Sequence, residues 1–422
     1  MGRTMMAFST GAEGEPLHGR VYNILVSTKS FGGYRDLPGL VGYTHMVVSF
    51  FGRLPTSMII IGVLTLIVAE TGSVETAAYC SACLAIANGF GNIIIGRLTD
   101  RFGQRAPLLI FAPLNILALL LLVWFAPREP STVALMAMSA FIGVTTSPIG
   151  PLSRVRWYPI ASRAQLPAAM SWETVNDELI FVLGPAAVGI LAAAVSPSLP
   201  LLVAAGMVLT CVFPFALSRH ARGPAILDDD EPRPSFFSVV VRVRTPLAAM
   251  FFMGMFFGAM QTTVTAFAES HDLAGLGGLI YAALGLSAAL TALMAVALPE
   301  RLGYNRRILL GGCGLVVGAA TCAIAANGPI LALLLLVAGI FIGPLGVSIF
   351  TLAGRWAPRG GDGVANTAIV SANVLGVASA SAIVGQFVDT HVFYGFLAGA
   401  LCAAAITLVA STLGRRDEAK LG

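Results

Sequence analysis

The sequence predicts an all-α polytopic membrane protein with twelve transmembrane helices in two pseudo-symmetric six-helix bundles. Three observations predict it: the composition, the apolar runs of bilayer-spanning length, and the placement of the arginines. Hydrophobic residues make up 57% of the 422 residues and charged residues only 11%, with a mean hydropathy of +0.85. A soluble domain is about 25% charged. A water-soluble fold of this composition would expose far too much apolar surface.

Twelve apolar runs are long enough to cross a bilayer, which takes about 20 helical residues. They do not alternate between apolar and polar residues as the strands of a membrane barrel do, so we expect helices. The twelve expected spans are residues 40–69, 74–98, 106–126, 131–152, 168–195, 197–218, 246–269, 276–298, 308–326, 329–352, 366–388 and 391–413.

The basic residues fall almost entirely on one side of this predicted topology. The two tails, the segment between the halves and the loops after the second, fourth, eighth and tenth spans hold 23 of the 25 basic residues, with Arg154 and Arg156 assigned to the loop after the fourth span. The opposite side has Arg128, and Arg53 lies within a span. The positive-inside rule therefore predicts a multi-pass protein of the cell inner (cytoplasmic) membrane with both termini in the cytoplasm. The first 37 residues contain no secretory signal pattern.

The spans divide six and six around residues 219–245, which contain an acidic run and three prolines. This run could make a regulatory contact, but we expect a solvated linker. The pattern D-R-F-G at residues 100–103 recurs as E-R-L-G at residues 300–303, at the same place in each half. The predicted organisation is a cytoplasmic tail (1–37), a six-helix bundle (38–218), a cytoplasmic loop (219–245), a second bundle (246–413) and a cytoplasmic tail (414–422).

A charged, glycine-containing segment lies between the second and third spans. Its pattern is carried by Gly96, Leu98, Asp100, Arg101, Gly103 and Arg105. It resembles the major facilitator superfamily signature, roughly G-x-L-x-D-R-x-G-R-R, with Gln104 where a basic residue is usual. The resemblance implies a secondary transporter whose two bundles rock around a central site.

The same segment is predicted to act as a conformational latch between the halves, together with Glu300 and Arg301 of the repeat. The Asp100 carboxylate can accept hydrogen bonds from Arg101, from Arg105 or from a helix N-terminus in the other half. Simple positive-inside anchoring would explain the arginines, but neither the aspartate nor the glycines.

Four ionisable residues within predicted spans are candidates for proton coupling, because such residues are costly in a membrane. Arg53 lies in the first span, and Pro55 next to it predicts a distorted helix. In the fifth span, Glu173 and Asp177 share one helical face, whereas Glu178 points elsewhere. We expect Arg53, the only cation expected at this depth, to pair with Asp177 or Glu178. The alternative is a static ion pair that only fixes the two helices.

A motif in the fifth span partly resembles the G-P-x-x-G-G signature of the drug/proton antiporter branch. Gly184, Pro185 and Gly189 match it, and Val188 departs from it. The resemblance implies export, although the fourth span is expected to lack the arginine that many antiporters carry there. Pro55, Gly184 and Pro185 are candidate hinges.

In this superfamily the first and fourth helices of each half line the substrate cavity. The resemblance therefore implies a cavity that includes Thr44, His45, Ser49, Thr145, Thr146, Gln261, Thr262, Thr263 and Ser348. Each could instead make only a helix–helix hydrogen bond or bond its own carbonyl. The segment 261–263 next to four phenylalanines is the best candidate for mixed polar and aromatic ligand contact.

The leading functional prediction is proton-coupled export, by alternating access, of a small amphipathic or cationic compound. One alternative is a proton-coupled importer of a sugar, amino acid or organic acid, and another is a non-transporting receptor or assembly protein. We expect no enzyme activity, no cofactor, no metal and a monomer whose partners are a small-molecule substrate, protons and the lipid bilayer. The pair Cys80 and Cys83 is interpreted as two small residues on a helix face. The formal charge of +4 is too small to suggest nucleic acid.

Overall fold

The computed structural model describes residues 34–128, 131–162, 164–221, 223, 234–271, 273, 276–299, 302–388 and 391–417. All regular secondary structure in these ranges is helical. Within these ranges, eleven helices are long and apolar enough to cross a membrane: Tyr43–Thr71, Glu75–Phe102, Arg105–Arg128, Thr132–Ile160, Leu166–Ala194, Leu199–Leu217, Arg244–Ser270, Gly277–Ala297, Gly328–Trp356, Asp362–Val384 and Val392–Ser411. The helix Tyr304–Cys322 lies between the eighth and ninth of these, and two arginines in its first turn lower its hydropathy. Numbered in chain order, these helices are spans 1 to 12, and the predicted fold class is confirmed.

Two spans of the first half are broken at prolines. Span 1 consists of the helices Tyr43–Phe51 and Leu54–Thr71, with Pro55 in the first turn of the second helix. Span 4 consists of Thr132–Thr145 and Ile149–Ile160, and Pro148 lies in the break. Proline lacks the amide hydrogen that continues a helix and restricts the residue before it. Arg53 and Pro148, the residues at these breaks, are buried in the bundle. The breaks can therefore position charged side chains in its interior.

Span 4 is longer than predicted. It was expected at 131–152, but its second helix runs to Ile160 and carries Arg154 and Arg156 as fully buried side chains. Their assignment to a cytoplasmic loop was wrong. Hydropathy penalises an arginine wherever it lies, whereas a buried arginine is tolerated when carboxylates, carbonyls or aromatic rings surround it.

Parts of the predicted tail and central loop are helical and packed. Residues 34–41 form a helix before span 1, and its Leu37 and Val41 side chains are buried. Before span 7, the helix Phe236–Arg242 packs Val239 against Val364 of span 11.

Each half has its own apolar core. One cluster forms around Met58, Leu119 and Leu201, and another around Phe256 and Leu335. The halves meet mainly where span 2 packs on span 11 and span 5 packs on span 8. We call the end of the bundle that holds Asp100, Tyr158 and Asp362 the arginine-rich end.

Candidate functional site

A network of buried charges joins spans 1, 4 and 5. Arg53 Nη1 lies 3.0 Å from Asp177 Oδ1, and Arg53 also forms an ion pair with Glu173. Arg154 forms a third ion pair with the second carboxylate oxygen of Asp177. The arginine side chains are 2% and 0% exposed, whereas the Asp177 side chain is 24% exposed. Asp177 thus pairs with two cations, and part of its side chain remains exposed.

The other acid, Glu173, is fully buried and has a different environment. Besides Arg53, its carboxylate accepts hydrogen bonds from Ser153 Oγ at 2.9 Å and from Trp157 Nε1 at 2.6 Å. A buried carboxylate with three donors satisfies the hydrogen-bonding requirement of a buried charge. Glu173 therefore has the contacts of a structural anchor, and Asp177 those of an accessible acid.

The backbone of Gly150 lies at the focus of this network, in close contact with its polar atoms. A Cβ atom placed on Gly150 would lie 3.2 Å from Asp177 Oδ1 and 3.7 Å from both Arg154 Nη1 and Arg53 Nε. Arg53 Nε, Arg154 Nη1 and Arg154 Nε have no hydrogen-bond partner in the described part of the chain. Buried guanidinium donors are almost always paired. These unused N–H groups of two cations are donors to which an anionic group could bind.

Arg154 also connects the network to the second half. Its guanidinium carbon lies 3.6 Å from the centre of the Phe350 ring in span 10. Such a cation–π contact stabilises the arginine when its carboxylate partner is lost. A rearrangement of the two halves would therefore change the surroundings of Arg154.

The predicted pairing of Arg53 is present for Asp177 and absent for Glu178, which forms no ion pair among the described residues. The expectation that Arg53 is the only buried cation at this depth is wrong, as is the expectation that span 4 lacks an arginine. Arg154 and Arg156 are both buried there.

Most predicted cavity residues in the interior of the spans make local contacts instead. Asn115 of span 3 donates to Thr145 Oγ1 at 3.1 Å and to Thr146 Oγ1 at 3.3 Å, so both face span 3. Thr263 and Ser348 bond the carbonyls of Ala259 and Pro344 at 2.6 Å.

The remaining predicted cavity residues have different surroundings, and Ser49 among them is buried. Ser49 bonds the carbonyl of Met46 at 3.1 Å, Gln261 is exposed and Thr262 is half-buried. Gln261 is exposed whereas Thr263 is buried, so residues 261–263 do not share one environment. Thr44 and His45 lie near the arginine-rich end of span 1, apart from the charged network around Gly150.

The three candidate hinges differ in their surroundings. Pro55 begins the second helix of span 1, at a real break. Gly184 lies where spans 1 and 5 touch, because a Cβ there would collide with the Ser57 hydroxyl. Pro185 lies inside the continuous helix Leu166–Ala194.

Comparison with known proteins identifies the family. The Major Facilitator Superfamily model matches residues 46–381. The chain belongs to the major facilitator superfamily. The superfamily accounts for two bundles of six helices, and it indicates a transporter rather than an enzyme.

Solved structures of major facilitator superfamily proteins share the fold at low sequence identity. The human organic anion transporter MFSD10 (TETRAN) is 16% identical with a TM-score of 0.65, over 92% of this chain and 99% of that chain. The E. coli fucose:proton symporter FucP is 15% identical with a TM-score of 0.63, over 87% and 97%. A bacterial homologue of the iron transporter ferroportin is 16% identical with a TM-score of 0.64, over 87% and 98%. No curated protein matches the sequence.

The superfamily signature segment lies at the contact between the halves. Asp100 Oδ1 and Oδ2 accept hydrogen bonds from the amides of Gly363 and Val364, at 2.8 and 2.9 Å, in the first turn of span 11. A helix N-terminus favours a negative charge. Of the partners that the sequence predicts for Asp100, this contact corresponds to a helix N-terminus in the other half.

The glycines of the segment permit this contact. A Cβ on Gly96 would collide with the Thr367 hydroxyl, and Gly103 has a φ of +78° in the turn before span 3. Arg101 stacks on Phe102, and Arg105 donates to the Leu217 carbonyl at 3.3 Å. The predicted partners Glu300 and Arg301 lie outside the described residues.

Further hydrogen bonds close the halves against each other at the arginine-rich end. Tyr158 bonds Asn366, and Ser171 of span 5 donates to the Ala292 carbonyl of span 8. Further along the same contact, toward the middle of the two spans, Ser371 of span 11 donates to the Gly89 carbonyl of span 2 at 2.8 Å. Together with Asp100, these contacts define the closed seam.

Proposed function

We propose that this superfamily member is a proton-coupled secondary transporter in which Asp177 exchanges the proton and a small organic anion is the substrate. The observation that carries the proposal is the convergence around Gly150 of the Asp177 carboxylate and two arginines with unpartnered N–H groups. From the arginine placement, we propose that the arginine-rich end faces the cytoplasm of an inner-membrane monomer.

The chemistry follows from charge balance in a site that excludes most water. When Asp177 is ionised, it compensates Arg53 and Arg154. When Asp177 is protonated, the ion pair between Arg53 and Glu173 is the one that remains of the three. The free N–H groups of the two buried arginines then favour the binding of a carboxylate, phosphate or sulfonate. Binding of the proton and binding of the substrate anion therefore favour each other, which couples their movement in the same direction.

The position of the site suits alternating access. Arg154 contacts Phe350 of the other half, and the seam of Asp100, Tyr158 and Ser171 closes the arginine-rich end. Opening that seam would separate the halves around Arg154. The proton and the substrate would then exchange with the solution on that side.

A second candidate is the proton-coupled export of an amphipathic compound. It is favoured by apolar contacts at the interface of the halves, where a Cβ on Gly346 would lie 3.5 Å from the Thr174 methyl group of span 5 and 3.8 Å from Met253 Cε. A cationic substrate is less favoured, because Arg53 and Arg154 would repel it. Export would require protons to move opposite to the substrate.

The test is transport into proteoliposomes that contain the purified chain, under an imposed pH gradient. The panel pairs each organic acid with its amide or amine analogue. We expect gradient-driven uptake of acids but not of their neutral or cationic analogues, with loss of uptake in Arg154→Gln and retention in Arg97→Gln, which changes an exposed arginine. Transport of amines and not of acids would contradict the proposed substrate class.

A further inference from the structure

A third buried cation, Arg156 of span 4, lies at the arginine-rich end, between spans 1 and 6. Arg156 is 0% exposed and donates to Gln104 Oε1 at 2.7 Å and to the Phe215 carbonyl at 2.9 Å. Its guanidinium carbon lies 3.4 Å from the centre of the Phe215 ring. None of these described partners is a carboxylate. The cation is therefore stabilised by neutral groups and retains its positive field.

A pocket of about 300 Å³ opens beside this cation and is lined by the beginning of span 1, the end of span 6 and the segments next to them, including His45, Arg219 and His220. No aspartate or glutamate is among the described residues that line it. Burial, followed by the neighbouring Arg219 and Arg156, lowers the pKa of His220 below its usual value. The direction of this shift agrees with a positive potential at the mouth of the pocket.

His45, one of the residues that line this pocket, has an unpartnered donor. Its side chain is 6% exposed, and its ring stacks on Phe215 at 5.6 Å. Its Nδ1 lies 3.5 Å from Arg156 Nη1, which can only donate, so Nδ1 accepts and Nε2 carries the hydrogen. Nε2 is buried and has no partner among the described residues. Because the two ring nitrogens point in different directions, Nε2 points away from Arg156.

The start of span 1 adds backbone donors to the same wall. Gly42, with a φ of +81°, separates residues 34–41 from the helix Tyr43–Phe51, and no side chain caps this helix. The amides of its first turn therefore lack intrahelical acceptors. Gly42, Thr44 and His45 all line the pocket, so the positive end of the helix lies against it.

We propose that this pocket is a binding site for a phosphate group, contributed either by an anionic lipid headgroup or by a free phosphate. Three kinds of donor surround it: the amides of the first turn of span 1, the His45 Nε2–H and the Arg219 guanidinium. A tetrahedral phosphate presents several oxygens to donors on different sides, which a single carboxylate does not. The site shares no ion pair with the Gly150 network and does not depend on the proposed transport activity.

The experiment is calorimetric titration of the full-length, delipidated protein in detergent. The probes are inorganic phosphate and dihexanoyl phosphatidylglycerol. The variants are His45→Phe, which keeps a ring against Phe215 but removes the donor, and Arg219→Gln, which changes an exposed residue. Arg128→Gln is the matched control, because Arg128 is exposed and lies outside the pocket.

We expect saturable binding that weakens at least about tenfold in each pocket variant, as loss of a charged hydrogen bond implies, and is unchanged in the control. Tighter binding of the lipid identifies a headgroup site, and tighter binding of inorganic phosphate identifies a site for a free anion. Absence of saturable binding of both probes would overturn the proposal. So would equal affinity in the wild type and in both folded pocket variants.

Discussion

The Asp100 carboxylate of the first half lies 2.8 Å from the Gly363 amide of the second half. The two residues are 263 positions apart in the chain, and a second bond to Val364 makes the contact bidentate. Because the contact joins the ends of spans 2 and 11, it is intact only while the arginine-rich end is closed. It therefore links one residue of the superfamily signature to one conformation of the protein.

We expect Asp100→Asn to open the seam. The asparagine keeps the size of the side chain but loses the charge that faces the helix N-terminus, which costs roughly 1–2 kcal/mol. A two-state equilibrium would shift about 5–30-fold. The measurement is the labelling rate of a cysteine at the buried Ser371, in a cysteine-free background. An unchanged rate would show that Asp100 does not stabilise the closed seam, and Arg97→Gln is the control.

Two glycines of span 2 provide a second test of the seam. A methyl group on Gly96 would collide with Thr367, whereas on Gly89 it would lie 3.7 Å from Leu375, an ordinary contact. Overpacking costs about 1–3 kcal/mol. We therefore expect Gly96→Ala to increase labelling at Ser371→Cys and Gly89→Ala to leave it unchanged. Equal labelling in both variants would contradict the close approach of spans 2 and 11 at Gly96.

The two acids of span 5 should differ in their effect on stability. Glu173→Gln removes a fully buried charge that Arg53, Ser153 and Trp157 surround, and we expect a loss of about 3–5 kcal/mol in the free energy of unfolding. Asp177→Asn should cost about 1–2 kcal/mol, because Arg53 keeps Glu173, Arg154 keeps its contact with the Phe350 ring and Asp177 is partly exposed. Denaturant unfolding in detergent measures both. A larger loss for Asp177→Asn would reverse their assigned roles.

The orientation of the chain is tested with two exposed arginines at opposite ends, Arg128 and Arg242. In a cysteine-free background, an impermeant maleimide added to intact cells should label Arg128→Cys and not Arg242→Cys. Labelling of Arg242→Cys after the cells are made permeable is the control. Labelling of Arg242→Cys from outside would contradict a cytoplasmic arginine-rich end.

The sequence was informative where one residue contrasts with its neighbours. Apolar runs predict the spans, and Arg53 and Asp177 stand out because each charge interrupts such a run. Arg154 and Arg156 could not be recognised in this way, because they follow the apolar run and continue its helix. Their burial depends on partners from other spans, Asp177, Phe350, Gln104 and Phe215.

The cavity predictions failed for a related reason. Thr145 and Thr146 face Asn115 of span 3, and a single sequence does not show which neighbour a polar helical face will meet. The convergence of charged side chains around Gly150 was also beyond prediction. It depends on the close approach of spans 1, 4 and 5 at a residue without a side chain.

The central claim is that Asp177 carries the proton that couples transport. The measurement is simultaneous recording of substrate and proton movement in proteoliposomes, with a pH-sensitive dye inside and an acid from the panel outside. In the wild type, we expect protons to enter with the substrate anion. In Asp177→Asn, substrate exchange at equal pH should persist while proton entry and uphill transport are lost, because the neutral amide can no longer bind or release a proton. Proton entry that continues together with substrate in Asp177→Asn would contradict the claim and place the coupling at another residue.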